Sequence, residues 1–199
     1  MSYSRKLLML RVILVDNHLE RSAPLKKSLC DEGYEVIAHL TDTADLDAAV
    51  NRLKPDVVII DTNSPSRDTL ENICVMSLNA PRPVVMFAHD GDTAKIRAAT
   101  QAGVSAYVVG GIPDEKLRPV LDAAIARFDE FKALRIKLDE ANSRLVERKI
   151  IERAKGLLMK QRGMDEEAAY GLLRNMAMQQ NIRVATLAEQ LVQAAKLLF

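Results

Sequence analysis

Residues 56–61 read Asp-Val-Val-Ile-Ile-Asp and carry four consecutive apolar, β-branched side chains. Such a run, without the alternation of a half-exposed strand, is typical of a central parallel strand buried on both faces. Outward from it, similar runs alternate with helical patterns. The predicted strands are 10–15, 34–38, 56–61, 83–87 and 106–109, and the predicted helices include about 19–30, 43–53 and 93–102. Since alternating strands and helices form βαβ units, the sequence predicts an α/β, doubly wound, five-strand parallel sheet.

The composition argues against several classes of protein. At 199 residues and 22.1 kDa, the chain has room for one full domain and a small appendage. Only 4% of the residues are aromatic and Trp is absent, which argues against a β-sandwich or barrel. No apolar run approaches the roughly 20 residues that span a bilayer, and residues 1–11 lack the pattern of a signal peptide. We therefore expect a cytoplasmic protein.

The pattern of cysteines and histidines does not favour metal or redox chemistry. Cys30 and Cys74 lie far apart without a C-x-x-C motif, which predicts two reduced, mostly buried thiols. His18, His39 and His89 are scattered, so no His/Cys metal site is expected. The common hydrolase motifs do not occur either, and we expect no enzymatic activity.

Two carboxylates are predicted to meet at the carboxyl edge of the sheet. Asp16 and Asn17 end the first strand, and Asp61 ends the third. In doubly wound sheets, ligands bind beyond the carboxyl ends of the strands, where the strand order reverses. Two carboxylates at that place suit a hard cation such as Mg²⁺. Asp and Asn are also favoured as helix N-caps and turn residues in such loops, so both interpretations stay open.

A helical pattern of more than 40 residues begins at Pro113. Its apolar residues follow a 4-3 spacing in two runs, which join through an extra three-residue step. The runs are Leu121, Ala124, Phe128 and Phe131, then Leu134, Leu138, Ala141 and Leu145. Folding back onto the sheet explains only the first three or four turns. We therefore predict a coiled-coil homodimer through Phe131 and the second run.

The last part of the chain predicts three short helices. The first covers 148–162, and the second runs from its N-cap Asp165 to about Gln180. The third is expected to begin at Thr186, with Glu189 completing a capping box. A bundle this small is marginally stable by itself, which also favours a dimer.

Positive charge is concentrated in this last part. Residues 148–199 carry a net charge of +4, while 1–127 carry −2 and 128–147 carry −1. On a helical wheel, two basic stripes lie opposite the apolar face of the first short helix. They contain Lys149, Arg153, Gly156 and Lys160, and Arg148, Lys155, Met159 and Arg162. A glycine inside a helix costs about 1 kcal/mol relative to alanine. It would let a phosphate or a splayed base approach the backbone; tight helix packing beside a solvated basic face is the alternative.

Two segments resemble known families. Residues 10–112 resemble a response-regulator receiver domain, a CheY-type, flavodoxin-like fold, with Asp61 and Pro65 at the phospho-acceptor strand end. Residues 148–195 resemble an ANTAR domain. The matching motif residues are Ala154 to Met159, Glu167 to Ala169, Leu172 to Arg174, and Ala177. The chain therefore resembles the AmiR/NasT transcription antitermination family, and within it the nitrate-assimilation branch.

The resemblance implies an organisation and a function. It implies a degenerate receiver at 9–127, a coiled-coil linker at 128–147 continuous with the last receiver helix, and an ANTAR domain at 148–199. Such proteins bind hairpin leader RNA and prevent a transcription terminator from forming. A NasS-like nitrate/nitrite sensor is the implied inhibitory partner. The residues expected to bind RNA are Lys149, Arg153, Lys155, Gly156, Met159, Lys160 and Arg174.

The sequence departs from the receiver pattern where a phosphoryl group would be held. Asn17 replaces the second acidic residue, Ala88 replaces a hydroxyl, and Gly110 replaces an ammonium group. The missing groups bind Mg²⁺ and phosphoryl oxygens. We therefore expect Asp61 to be a vestigial acceptor and no cofactor beyond a weak Mg²⁺ candidate at Asp16 and Asp61. Two other functions stay open: a phosphorylation-activated DNA-binding regulator, and a coiled-coil adaptor without nucleic-acid affinity.

Overall fold

The computed structural model describes residues 9–16, 26–110 and 117–198. The chain divides into two compact units, one up to Phe131 and the other from Lys132 onward. The predictions for Asn17, for the helical residues 19–25 and for the helix start at Pro113 lie outside the described residues. In the described part, no helix combines the length and hydrophobicity that crossing a bilayer requires.

A five-stranded parallel sheet forms the centre of the first unit, as predicted. Its strands are β1 (Leu10–Asp16), β2 (Tyr34–Leu40), β3 (Val57–Thr62), β4 (Val84–Ala88) and β5 (Ala106–Val109). The order is β2-β1-β3-β4-β5, so the direction of winding reverses between β1 and β3. These two strands pair in parallel with Val12 beside Val57 and Asp16 beside Asp61. The reversal point therefore lies at the two aspartates.

Helices connect the strands, and side-chain caps mark the starts of two of them. They are α1 (residues 26–31), α2 (Leu46–Leu53), α3 (Arg67–Asn79), α4 (Thr93–Ala102) and α5 (Leu117–Arg162). The Ser66 hydroxyl accepts a hydrogen bond from the Thr69 amide at 3.1 Å, which caps α3. The Asp92 carboxylate accepts one from the Ala94 amide at 2.8 Å and caps α4.

Two apolar clusters cover the two faces of the sheet. Since successive side chains of a strand point to opposite faces, Ile13 and Ile60 join one cluster, while Leu14 and Ile59 join the other. The first cluster packs against α2, α3 and α4, and the second includes the buried Leu117, Leu121 and Ala124 of α5. The run at 57–60 is fully or almost fully buried, which confirms the prediction of a strand covered on both sides.

Three details of the first unit differ from the sequence predictions. Helix α2 begins at Leu46 instead of Thr43, because Asp42 accepts from the Ala44 amide at 2.8 Å and holds residues 41–45 in turns. Strand β2 extends to Leu40. Cys30 and Cys74 are free thiols, as predicted, but both are exposed on the outer faces of their helices.

The second unit contains the rest of α5 and two further helices, α6 (Glu166–Gln179) and α7 (Val184–Leu198). Helix α5 ends before Gly163, whose φ of 68° is left-handed. Asp165 accepts from the Ala168 amide at 2.8 Å and is the predicted N-cap of α6. The core of this unit contains Ala154, Leu158, Ala169, Leu173, Ala177, Leu187 and Ala188.

The start of α7 corrects one prediction. The Leu187 amide donates to the Arg183 carbonyl at 3.1 Å, so helical bonding already begins at Arg183. Thr186 therefore lies inside the helix, and Thr186 and Glu189 do not form the predicted capping box. The reason is that the apolar face of α7 begins at Val184, which packs against the core of the unit.

Candidate functional site

The sheet brings Asp16 and Asp61 together at its carboxyl edge. Asp16 is 1% exposed, and Asp61 beside it is half-buried. The fold family implies Mg²⁺ at this place, but within the described residues no three acidic, His or Cys side chains lie where they could hold a metal ion. Two described carboxylates, Asp16 and Asp61, lie side by side here, and Mg²⁺ is commonly bound through one or two carboxylates, so these are the residues that would hold the ion.

A pocket of about 310 Å³ beside Asp61 is acidic. Asp42, Asp61 and Asp68 contribute three carboxylates to it, together with hydroxyl and amide side chains. None of the described residues that line it is a lysine or an arginine. A phosphoryl group on Asp61 would add negative charge beside two carboxylates without a neutralising cation.

Ala88 and Gly110 lie together at the far side of this edge. The Gly110 amide donates to the Ala88 carbonyl at 2.9 Å, so the structure joins the two positions where a receiver carries its hydroxyl and ammonium groups. Ala88 is fully buried. Gly110 has a φ of 98°, a left-handed backbone that a lysine would adopt only with strain. The backbone at this position is thus fitted to glycine.

A lysine that the sequence analysis did not identify lies near this edge. Lys95 on α4 places its Nζ 2.6 Å from Asp90 Oδ2 and 2.8 Å from Ser64 Oγ. The Ser64 hydroxyl also bonds Asp90 at 2.9 Å, and the Tyr107 hydroxyl donates to the Asp90 carbonyl at 2.8 Å. The hydrogen bond from Lys95, with those from the Asp92 amide and Ser64, lowers the pKa of Asp90 to about 2.

These bonds tie the loops after β3 and β4 to each other, and they occupy the ammonium group of Lys95. No sequence signal identifies the cluster, because Ser64 and Lys95 are 31 residues apart and meet only through the sheet. Internal hydrogen bonds therefore hold the loops after β3 and β4 together, and the acidic pocket lies beside Asp61.

The second unit presents most of the predicted RNA-binding residues at its surface. Lys149, Arg153, Gly156, Lys160 and Arg174 are exposed, and Met159 is 37% exposed. The first four lie on one side of α5, since they follow the 3.6-residue period. Arg174 lies on α6.

Lys155 differs from the other predicted RNA-binding residues. It is only 7% exposed, and its Nζ lies 2.8 Å from Glu152 Oε1 and 2.6 Å from Glu166 Oε1. These hydrogen bonds raise the pKa of Lys155, and Lys155 in turn lowers the pKa of Glu166. The prediction of Lys155 as a surface contact is corrected on this point: its ammonium group is used to tie α5 to the first turn of α6.

Gly156 has open space beside it among the described residues. Apart from its own stretch of helix, no described atom lies within 4 Å of a Cβ built on it, so tight packing against the described part of this unit does not explain the glycine. It lies instead in an open groove of about 830 Å³ between α5 and α7. The groove is lined by Arg153, Gly156, Leu157, Lys160, Gln161, Val192 and Ala195. The sequence did not identify Leu157, Gln161, Val192 or Ala195. Apolar residues of a short helix predict core packing, and a lone glutamine carries no signal.

The predicted dimer residues are exposed along α5. Phe131 is 65% exposed, and Leu134, Leu138 and Leu145 are 58 to 60% exposed. Ala141 is exposed as well. Leu121 and Ala124, by contrast, are buried against the sheet. The first turns of α5 thus cover their own domain, and the later apolar side chains are left without a cover in the chain.

Two family models match the chain in the same order as the two parts of the structure. Residues 12–122 match the response regulator receiver domain, and residues 139–192 match the ANTAR domain. The transcriptional regulatory protein PdtaR of Mycobacterium tuberculosis is 30% identical over 179 residues, which cover 90% of this chain and 87% of PdtaR. The chain belongs to the ANTAR response regulators.

Other relatives of this ANTAR response regulator share only part of it. The nitrate regulatory protein of Klebsiella oxytoca is 41% identical over 79 residues, which cover 40% of this chain and 19% of that protein. The structure of the chemotaxis response regulator CheY4 of Vibrio cholerae matches with a TM-score of 0.52 at 22% identity, over 59% of this chain and 99% of CheY4. The second match shows the receiver fold alone. The ANTAR response regulators are a regulatory family of the two-component type.

Proposed function

We propose that this ANTAR response regulator is an RNA-binding transcription antiterminator. It binds a hairpin in leader RNA and prevents a terminator from forming. The observation that carries the proposal is the exposed cationic face of α5, where Lys149, Arg153 and Lys160 surround a glycine with open space beside it among the described residues. Cations arranged along one helix face neutralise phosphates, and the glycine leaves room for the ligand.

The kind of nucleic acid follows from the side chains on this face. Residues 132–198 contain a single aromatic side chain, Tyr170, so a sheet or row of stacking rings does not supply recognition. Lys and Arg contacts to phosphates together with the shape of a folded loop are then the means of recognition. A DNA duplex would instead be read by a helix inserted in its major groove. We propose an RNA hairpin as the preferred ligand.

The receiver is proposed to act without phosphorylation. Three features disfavour a phosphoryl group on Asp61. The pocket beside it is acidic, and the ammonium group of Lys95 is already bound to Asp90. The backbone at Gly110 would be strained if a lysine stood there. Control by a sensor protein is therefore proposed instead. The similarity to the nitrate regulatory protein of Klebsiella oxytoca supports a NasT-type role in nitrate or nitrite assimilation with a NasS-like sensor partner.

The assembly is proposed to be a cytoplasmic homodimer. The exposed stripe of Leu134, Leu138, Ala141 and Leu145 supports pairing of α5 with the same helix of a second copy, because a coiled coil buries such an apolar seam between its helices. A dimer would present two cationic faces, which suits a leader with two hairpins.

A binding titration tests the proposed function. The full chain is titrated with a two-hairpin leader RNA and, separately, with duplex DNA of equal length, at several salt concentrations. We expect preference for the RNA and an affinity that falls with salt. Equal affinity for both would favour the DNA-binding regulator, and no affinity for either would favour the adaptor.

A further inference from the structure

The groove between α5 and α7 has the lining expected of a site for a flat, partly apolar ligand that also carries negative charge. Its floor is formed by the half-buried Leu157, Val192 and Ala195. Arg153 and Lys160 lie exposed at its rim. Its volume of about 830 Å³ lies within the range of roughly 300–1,000 Å³ typical of small-ligand sites.

We propose that this groove seats one unpaired nucleobase of the RNA loop, with Arg153 and Lys160 on the flanking phosphates. The inference rests on the proposed RNA-binding function and adds to it the place where α7 takes part. It also assigns a role to Leu157, Val192 and Ala195, which form an apolar surface for the face of the base.

The position of Gly156 supports a ligand in contact with the helix backbone. Arg153 and Lys160 precede and follow it by three and four residues, so both are its neighbours on the helix surface. Glycine inside a helix lowers stability, and no described atom beyond its own stretch of helix lies within 4 Å of its missing Cβ. The space beside it is therefore open to a ligand. A base lying on Leu157 would use the space that a side chain at 156 would fill.

The charge of the rim favours a nucleotide over an apolar side chain of a partner protein. An apolar protein segment would leave the two rim cations without counter-charges, whereas a nucleotide brings a ring and a phosphate together. Gln161 lines the groove as well, and its amide both donates and accepts hydrogen bonds, as the edge of a base requires. The apolar stripe proposed for the dimer ends at Leu145 and does not include the groove.

Two alanines of α7 provide a matched pair of variants. Ala195 lines the groove, whereas its neighbour Ala194 is exposed and does not line it. Ala195→Leu fills the groove, and Ala194→Leu adds the same atoms outside it. Gly156→Ala is a second groove variant, which should keep the fold because the added methyl group meets no described atom outside its own stretch of helix. Circular dichroism melts verify that each full-length variant is folded.

The probe is selected from a pool of RNA hairpins that share one stem and have loops of random sequence. It is the hairpin that the wild-type chain binds most tightly. Each loop nucleotide is then replaced in turn by an abasic one. We expect one abasic position to weaken wild-type binding by roughly tenfold, because the base face no longer covers the apolar surface of Leu157, Val192 and Ala195. Ala195→Leu should weaken binding to the intact hairpin by a similar factor and Gly156→Ala by a smaller one, while Ala194→Leu binds as wild type does.

Non-additivity identifies the contact. The Ala195→Leu variant should bind the abasic hairpin no more weakly than it binds the intact hairpin. The substitution and the missing base remove the same interaction, so their effects should not add. The inference is overturned if the wild type binds the hairpin and Ala195→Leu binds it equally well, or if the two losses add. Failure of the wild type to bind any hairpin in the pool would instead overturn the proposed function, and the groove inference with it.

Discussion

Replacing Leu138 by glutamate should dissociate the dimer. In the single chain Leu138 is 60% exposed, and an α5 pairing would bury it against the second copy. Full burial of a leucine side chain contributes about 1.5–3 kcal/mol. Burying the exposed 60% of the side chain then contributes about 1–2 kcal/mol per chain, and about 2–4 kcal/mol per dimer, to the free energy of association.

Such a loss raises the dissociation constant of the dimer about 30- to 1,000-fold, and the cost of burying the carboxylate adds to it. Sedimentation equilibrium over a range of concentrations measures the constant directly. Ile136→Glu is the matched control, because Ile136 is 50% exposed but lies on the opposite side of α5. It should leave the dimer intact. A wild-type chain that sediments as a monomer at every concentration, or two variants with equal effects, would refute pairing through this stripe.

Four further variants test the receiver and the helices α5 and α6. Asp61→Asn should leave RNA affinity and antitermination unchanged, and a loss of activity with an intact fold would contradict a vestigial acceptor. Gly156→Ala and Gly171→Ala should each raise the Tm by about 4–8 °C, since each relieves up to about 1 kcal/mol in a domain of this size and neither added methyl group meets an atom within 4 Å; only the first should weaken RNA binding. Asp90, with its pKa lowered to about 2, stabilises the folded receiver above pH 3.8, and this contribution is lost as the pH falls through 2. Acid melts of Asp90→Asn, which breaks the ion pair with Lys95, should therefore depend less on pH than those of the wild type, and identical profiles would contradict that role.

The parts of the fold set by local pattern were predictable. The unbroken apolar run at 57–60 identified a doubly covered strand, and Asp165 identified the start of α6 by its capping chemistry. The beginning of α7 was placed wrongly at Thr186, because a capping motif was weighed more than the apolar face that begins at Val184. Local propensity gave way to packing there.

The composition of the candidate site was only partly predictable, because its contacts join distant residues. A helical wheel places Lys155 on a basic stripe. The wheel cannot show that Glu166, in the next helix, binds the ammonium group of Lys155. The contribution of Val192 and Ala195 to the groove likewise depends on how α7 packs beside α5. Periodicity identifies the faces of one helix, and packing decides what lies opposite each face.

RNA binding through the cationic face is decided by a salt titration of one variant. In the full chain, Lys149, Arg153, Lys160 and Arg174 are all replaced by alanine, and binding to the two-hairpin leader RNA is measured from roughly 50 to 200 mM salt. If each cation meets a phosphate, the slope of log affinity against log salt should fall by about one unit per residue removed, and the affinity at the lower salt should fall with it. Binding of the fourfold variant with the affinity and salt slope of the wild type would contradict RNA recognition by this face.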